Sequence, residues 1–184
     1  MEKELIHKLI IWLRRKHPGT IVNMRDFLSY IMKLTGTAPM NSRLLIRVIR
    51  KDGAIENRGI VSTHAITSGF VELLVDTLQS PIAAFSTFRY HDSGTGTTAE
   101  NENDTALETP CGEAKDTGTQ AEGDSANVYR SMVIHTYAGN FEITEHALLN
   151  SNDVLADRSV FTAIGVAPGD RIEFTYELEC ISGG

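Results

Sequence analysis

The sequence predicts an α+β chain, an N-terminal helical region followed by an antiparallel β-sandwich or barrel-like module. Three observations predict it. Apolar residues recur at helical spacing before residue 80, two-residue alternation takes over after residue 128, and the charge changes sign between the two ends. Residues 1 to 58 hold 12 basic and 5 acidic side chains, a balance of +7, whereas residues 59 to 184 hold 5 and 19, a balance of −14. Together they return the net charge of −7, which argues against coating of nucleic acid because phosphate binding needs a basic face. With 184 residues, 41% of them hydrophobic and 22% charged, the chain suits an ordinary globular protein with one core or slightly more.

In residues 3 to 16, Leu5, Ile6, Leu9, Ile10, Trp12 and Leu13 follow a helical repeat, and Arg14, Arg15 and Lys16 stand in the last turn, where cations oppose the helix dipole. His17-Pro18-Gly19 ends that helix. A second is expected from Asn23 to Thr35, with Phe27, Leu28, Ile31 and Leu34 inward and Gly36 as terminator. Leu44 to Arg50 reads as a strand entering a hairpin at Asp52-Gly53. Val71, Leu74, Val75 and Leu78 predict a third helix over 68 to 79, stopped by Ser80-Pro81.

Beyond Pro81 the period changes. A short strand is expected over Phe85 to Tyr90, then a long polar loop at 91 to 127 whose only large aliphatic residue is Leu107. So polar a segment cannot bury itself, and order imposed by other chains is the expectation. Val128 to Tyr137 is the next strand, with Gly139-Asn140 turning it into Phe141 to Leu148, and Val160 to Val166 follows. After Pro168-Gly169-Asp170, the strand Arg171 to Cys180 sets Ile172, Phe174, Tyr176 and Leu178 on one face. Glu173, Thr175, Glu177 and Glu179 make an acidic outer face. The chain thus divides into a basic helical anchoring region (1–58), a connecting helix region (59–83) and an acidic β-rich module (84–184).

The chemistry-bearing motifs are weak. Asp92-Ser93-Gly94-Thr95 matches the short aspartic-protease pattern but lacks a preceding apolar run and a second copy, so it reads as a Gly-rich turn. Gly94-Thr95-Gly96-Thr97-Thr98 has no lysine for phosphates. Gly123-Asp124-Ser125 offers a serine, with His135 or His146 as conceivable base, but no strand-turn-helix setting. His64, His91, His135 and His146 have no metal-ligand spacing, and the acids of residues 100 to 124 lack the order that wraps calcium. Cys111 and Cys180 are expected as free thiols. No catalytic residue, cofactor or metal is expected. The amino end makes a poor signal peptide and no apolar run nears a membrane span, so synthesis in the cytoplasm without membrane attachment is expected.

The stretches FRYHDSGTGTTAENENDTALET (88–109), SANVYRS (125–131), ITEHALLNS (143–151), LADRSVF (155–161) and GDRIEFTYEL (169–178), with GIVSTHAITSGFVELLVDTL (59–78) upstream, resemble a family of tailed-bacteriophage virion proteins. The resemblance covers residues 59 to 184. It implies a β-rich decoration, or cement, protein, commonly trimeric, that clamps the major capsid protein at the capsid surface. A tail, neck or fibre-base component of the virion is the alternative. Within these stretches Phe88, His91, Thr95, Thr98, Leu107, Tyr129, Arg130 and Arg158 are the candidate interaction residues, joined by Trp12, Arg14 and Arg15 of the basic region. Neither a membrane nor a specific nucleic acid is an expected partner.

Overall fold

The computed structural model describes residues 40 to 63 and 66 to 181. The expected helices at 3 to 16 and 23 to 35, and with them Trp12, Arg14 and Arg15, lie outside the described residues. Among the described residues nine strands occur, in the order β1 (Met40–Ile49), β2 (Ile55–Ser62), β3 (Tyr90–Gly94), β4 (Asp116–Thr117), β5 (Thr119–Glu122), β6 (Val128–Thr136), β7 (Phe141–Leu149), β8 (Leu155–Val166) and β9 (Arg171–Cys180). They build a five-stranded sheet, β2-β1-β9-β6-β5, and a four-stranded sheet, β4-β3-β7-β8. The apolar faces of both sheets meet in one core, as in a sandwich. Leu44, Ile46, Val48, Ile172, Phe174 and Tyr176 come from the first sheet, and Ile143, Leu148, Phe161 and Ile164 from the second.

The helix α1 (Ser68–Gln79) has the expected limits. Thr67 caps it, its hydroxyl oxygen accepting from the Phe70 N–H at 3.2 Å while the hydroxyl donates to the Leu155 carbonyl of β8. Where a strand was expected over Phe85 to Tyr90, a 3-10 helix occupies Ala83–Thr87 and the strand starts at Tyr90. The hydroxyls of Ser86 and Thr87 donate back to the carbonyls of Ala83 and Ala84 at 2.9 and 2.6 Å, which favours the tight turn over extension. That turn brings Phe85 and Phe88 against Phe70, with ring centroids 5.0 to 5.9 Å apart.

One local expectation gives way to long-range pairing. Gly139-Asn140 does not close a hairpin: β6 pairs along its whole length with β9, and β7 pairs with β3 and β8, so the turn carries the chain from one sheet to the other. Ile143 to Asn150 are buried without a break, and β7 has both of its edges taken by β3 and β8, which leaves none for β6. The return corner at Pro168-Gly169-Asp170 is tied to this one, Tyr137 N–H donating to Asp170 at 3.0 Å and Gly169 N–H to Tyr137 at 2.9 Å.

The expected acidic outer face of β9 is neutralised. Arg43 of β1 and Arg130 of β6 both bond Glu177, which is buried, and Arg47 meets Glu173 at 2.5 Å. Arg50 adds bonds to Glu56 at 2.7 Å and Asp170 at 3.1 Å. Part of the sequence's charge asymmetry is therefore resolved inside one sheet. The expected division at residue 58 falls within β2, and the hairpin of β1 and β2 ties residues 40 to 62 into the β-rich part.

β4 and β5 are consecutive, yet one edges the second sheet and the other the first. Gly118, between them, is the point where the chain crosses, its N–H donating to the Arg89 carbonyl at 2.7 Å. A Cβ at Gly118 would stand 2.8 Å from both His91 Nε2 and the Met132 carbonyl oxygen. The second contact is backbone and cannot swing away. Gly118→Ala is therefore expected to destabilise the protein by about 1 to 3 kcal/mol through overpacking, read as a lower urea midpoint at unchanged slope.

Candidate functional site

The segment expected to lack internal order is fastened from beneath. Glu145 of β7 is fully buried on the outer side of the second sheet, where its carboxylate accepts from the N–H groups of Gly96 at 3.0 Å, Glu108 at 3.0 Å and Thr109 at 2.8 Å. The fourth donor is Arg158 Nε of β8 at 2.7 Å. Arg158 also reaches Asp104 at 3.1 Å and Glu108 at 3.2 Å, so one buried guanidinium joins three carboxylates drawn from β7 and two points of the loop. β-Pairing sets Arg158 opposite Ala147, one diagonal step from Glu145. Thr144 adds a bond from its hydroxyl to the Gly96 carbonyl at 2.7 Å.

Above this hub the loop folds on itself. Thr95 N–H donates to Thr109 at 2.8 Å, and Thr98 donates to Glu108 through its N–H at 2.8 Å and its hydroxyl at 2.6 Å. The Thr98 hydroxyl and N–H bonds are the main reason the Glu108 carboxyl is held below its usual range, with Arg158 contributing less. Leu107 turns down onto Ala147, Leu149 and Leu155, forming a small second core. Thr97, Thr98, Asn101, Asn103, Thr105 and Thr109 are left exposed on the outer rim.

A second polar constellation lies between the sheets. The Ser131 hydroxyl is 2.8 Å from His91 Nε2, and His91 Nδ1 is 2.9 Å from His146 Nε2. His146 Nδ1 has no partner, which fits the tautomer that leaves it bare and donates from Nε2 to His91. The order resembles a nucleophile with its base and orienting group, but Ser131 and His146 are 0% exposed and His91 1%. No substrate reaches that hydroxyl in this arrangement; the three side chains bond β6, β3 and β7 across the core. Burial pushes His91 down to about 3 and His146 well below the ordinary range, so both are neutral in the folded protein. Beside them, Tyr137 donates to Ser93 Oγ at 3.0 Å, and His135 Nδ1 lies 2.7 Å from Asp116.

The candidate residues therefore separate. Thr95, Thr98, Leu107 and Arg158 meet in the fastened loop. Phe88 and Tyr129 meet inside, the Tyr129 hydroxyl donating to the Phe88 carbonyl, with Phe88 buried in the core. His91 is internal, and Arg130 lies on the first sheet with Glu177 and Asp124. The other motifs also resolve. Asp92-Ser93-Gly94, expected as a Gly-rich turn, is strand instead, because pairing with β7 opposite Ala147, His146 and Glu145 holds it extended, and Asp92 accepts from the Ser93 N–H at 2.8 Å. The Ser125 hydroxyl donates to Asn127, away from His135 and His146, which have other partners. Cys111 and Cys180 are not joined in a disulfide. Glu145 and Ser131 escaped the sequence reading. A signal for Glu145 existed, a carboxylate in the middle of β7, directly before the apolar run Ala147-Leu148-Leu149.

Among the described residues no group of three or more His, Cys, Asp or Glu side chains could hold a metal ion, and no helix is long and apolar enough to cross a membrane. No protein-family model, curated protein or solved structure matches the chain.

Arg158→Ala strands a buried carboxylate and is expected to cost about 3 to 5 kcal/mol, with faster amide exchange at Gly96, Glu108 and Thr109. Exchange at those three amides equal to wild type would remove Arg158 from the fastening. The histidine pair sets a pH dependence. Its folded pKa values lie below the ordinary 6.5, so the unfolded chain binds more protons between pH 6.5 and about 3, and stability falls as pH falls through that window. Urea unfolding is expected to show a loss of up to about 2 kcal/mol per histidine from pH 6.5 to 5, and His91→Gln to flatten the slope.

Proposed function

We propose that this chain is a structural protein of a tailed-bacteriophage particle, binding the assembled capsid lattice as a decoration, or cement, protein and acting without catalysis. The observation that carries the reading is the polar loop held from below by Glu145 and Arg158. A loop fixed this way offers a preformed outer rim of threonines and asparagines, and it loses little conformational freedom when a partner covers it. The resemblance of residues 59 to 184 supplies the identity of that partner, the major capsid protein. The reading also accounts for the buried His91, His146 and Ser131, whose bonding between strands serves rigidity.

Cementing works by mass action, since a protein that binds the assembled shell and not its dispersed subunits raises shell stability by its binding free energy. Purified protein added to undecorated particles is expected to bind saturably in hundreds of copies and to raise the temperature at which the shell releases its DNA. Thr105→Arg, on the exposed rim, is expected to weaken that binding about tenfold or more without lowering the thermal midpoint of the free protein. Saturation at a few or a few tens of copies would assign the chain to the neck or tail. No binding to any part of the particle would overturn the proposal.

A further inference from the structure

Helix α1 carries more apolar side chains than its packing uses. Phe70 and Leu73 turn to the core, whereas Val71, Val75 and Leu78 are 45%, 49% and 80% exposed. Their spacing of i, i+4 and i+7 aligns them in one stripe, about 10 Å long at the helical rise. The helix, SGFVELLVDTLQ, has Glu72 and Asp76 as its only charged residues, so the stripe is bordered by negative charge alone. A second α1 laid on the first would set these acids against their own counterparts. The complementary element is apolar at i, i+4 and i+7 and bordered by cations. Leu5, Leu9 and Trp12 have that spacing, and Lys8, Arg15 and Lys16 supply the cations against one acid, Glu4.

We propose that the exposed stripe of α1 is the docking surface for residues 3 to 16 of a second copy of this chain. The choice of a second copy rests on the lattice reading, because neighbours on a shell present the segment to each other at high effective concentration. The contact is heterologous, α1 of one copy with the amino-terminal segment of the next, and it closes into a ring where the rotation allows. It would bury the apolar stripes of both elements and place Glu72 and Asp76 near guanidinium and ammonium groups, an attraction that weakens with salt.

Trp12 is the chain's one tryptophan, so its fluorescence reports the docking directly. With the purified full-length chain, sedimentation mass and Trp12 emission are followed together against concentration. Mass is expected to rise as the emission shifts to the blue, each with the same midpoint, and Leu78→Glu or Leu9→Glu is expected to abolish both changes. Mixing the two variants restores one functional interface, the α1 of the Leu9→Glu copy with the segment of the Leu78→Glu copy, and is expected to give dimers that stop there. If Leu78→Glu lowers the thermal midpoint, Leu78→Ser takes its place and is expected to weaken association about tenfold. An emission maximum that is independent of concentration, association unaffected by the α1 variants, or no dimer on mixing would each overturn the proposal. Because these measurements contain no particles, they succeed or fail separately from capsid binding.

Discussion

One buried carboxylate constrains more of this protein than any other group. Taking Glu145 out of water costs several kcal/mol unless its oxygens are fully bonded, and the required donors come from three separate places: β8 through Arg158, the loop at Gly96, and the loop again at Glu108 and Thr109. The β7–β8 register must therefore keep position 158 diagonal to 145. The loop must leave the sheet and return to the same spot. Gly96 is required there, since a Cβ would stand 2.7 Å from Glu145 Oε1 and 2.6 Å from Glu108 Cβ. A segment with one large aliphatic residue is thus ordered by charge-assisted hydrogen bonds where apolar burial is insufficient.

The first sheet uses charge differently. Its Arg43 and Arg130 bonds converge on the buried Glu177, while the Arg47–Glu173 pair is partly exposed and contributes modestly. Their larger effect is on register: each arginine has a carboxylate partner on β9 only in the observed alignment, and the like charges of β9 are separated by cations from both neighbouring strands. Between the sheets, the bonds of His91 to Ser131 and His146 tie β6 of the first sheet to β3 and β7 of the second.

Much of the fold was legible because its signals are local. The alternation of Ile172, Phe174, Tyr176 and Leu178 marked β9, and Ser80-Pro81 marked the end of α1. The features that escaped depend on residues far apart in sequence. Gly139-Asn140 has the composition of a hairpin turn, but the pairing of β6 with β9 makes it a corner. Glu177 reads as a solvated acid until Arg43 and Arg130 are set on either side of it. The polar run has the composition of a segment needing outside partners, and only the position of Arg158 beneath it reveals an internal one. Phe85 to Tyr90 failed for a local reason, since side-chain bonds from Ser86 and Thr87 outweighed strand propensity.

β9 lies between β1 and β6, so among the described strands the one synthesised after all the others joins the β1–β2 hairpin to the rest of its sheet. On the ribosome, β1 and β2 can pair with each other but cannot be incorporated until β9 has emerged. The arginines of β1 wait unpaired for that interval, and the apolar face of the hairpin waits uncovered. The protein's biosynthesis is thereby close to all-or-none: a chain halted before residue 171 lacks the central strand of its larger sheet and has no shorter folded form of that sheet to fall back on.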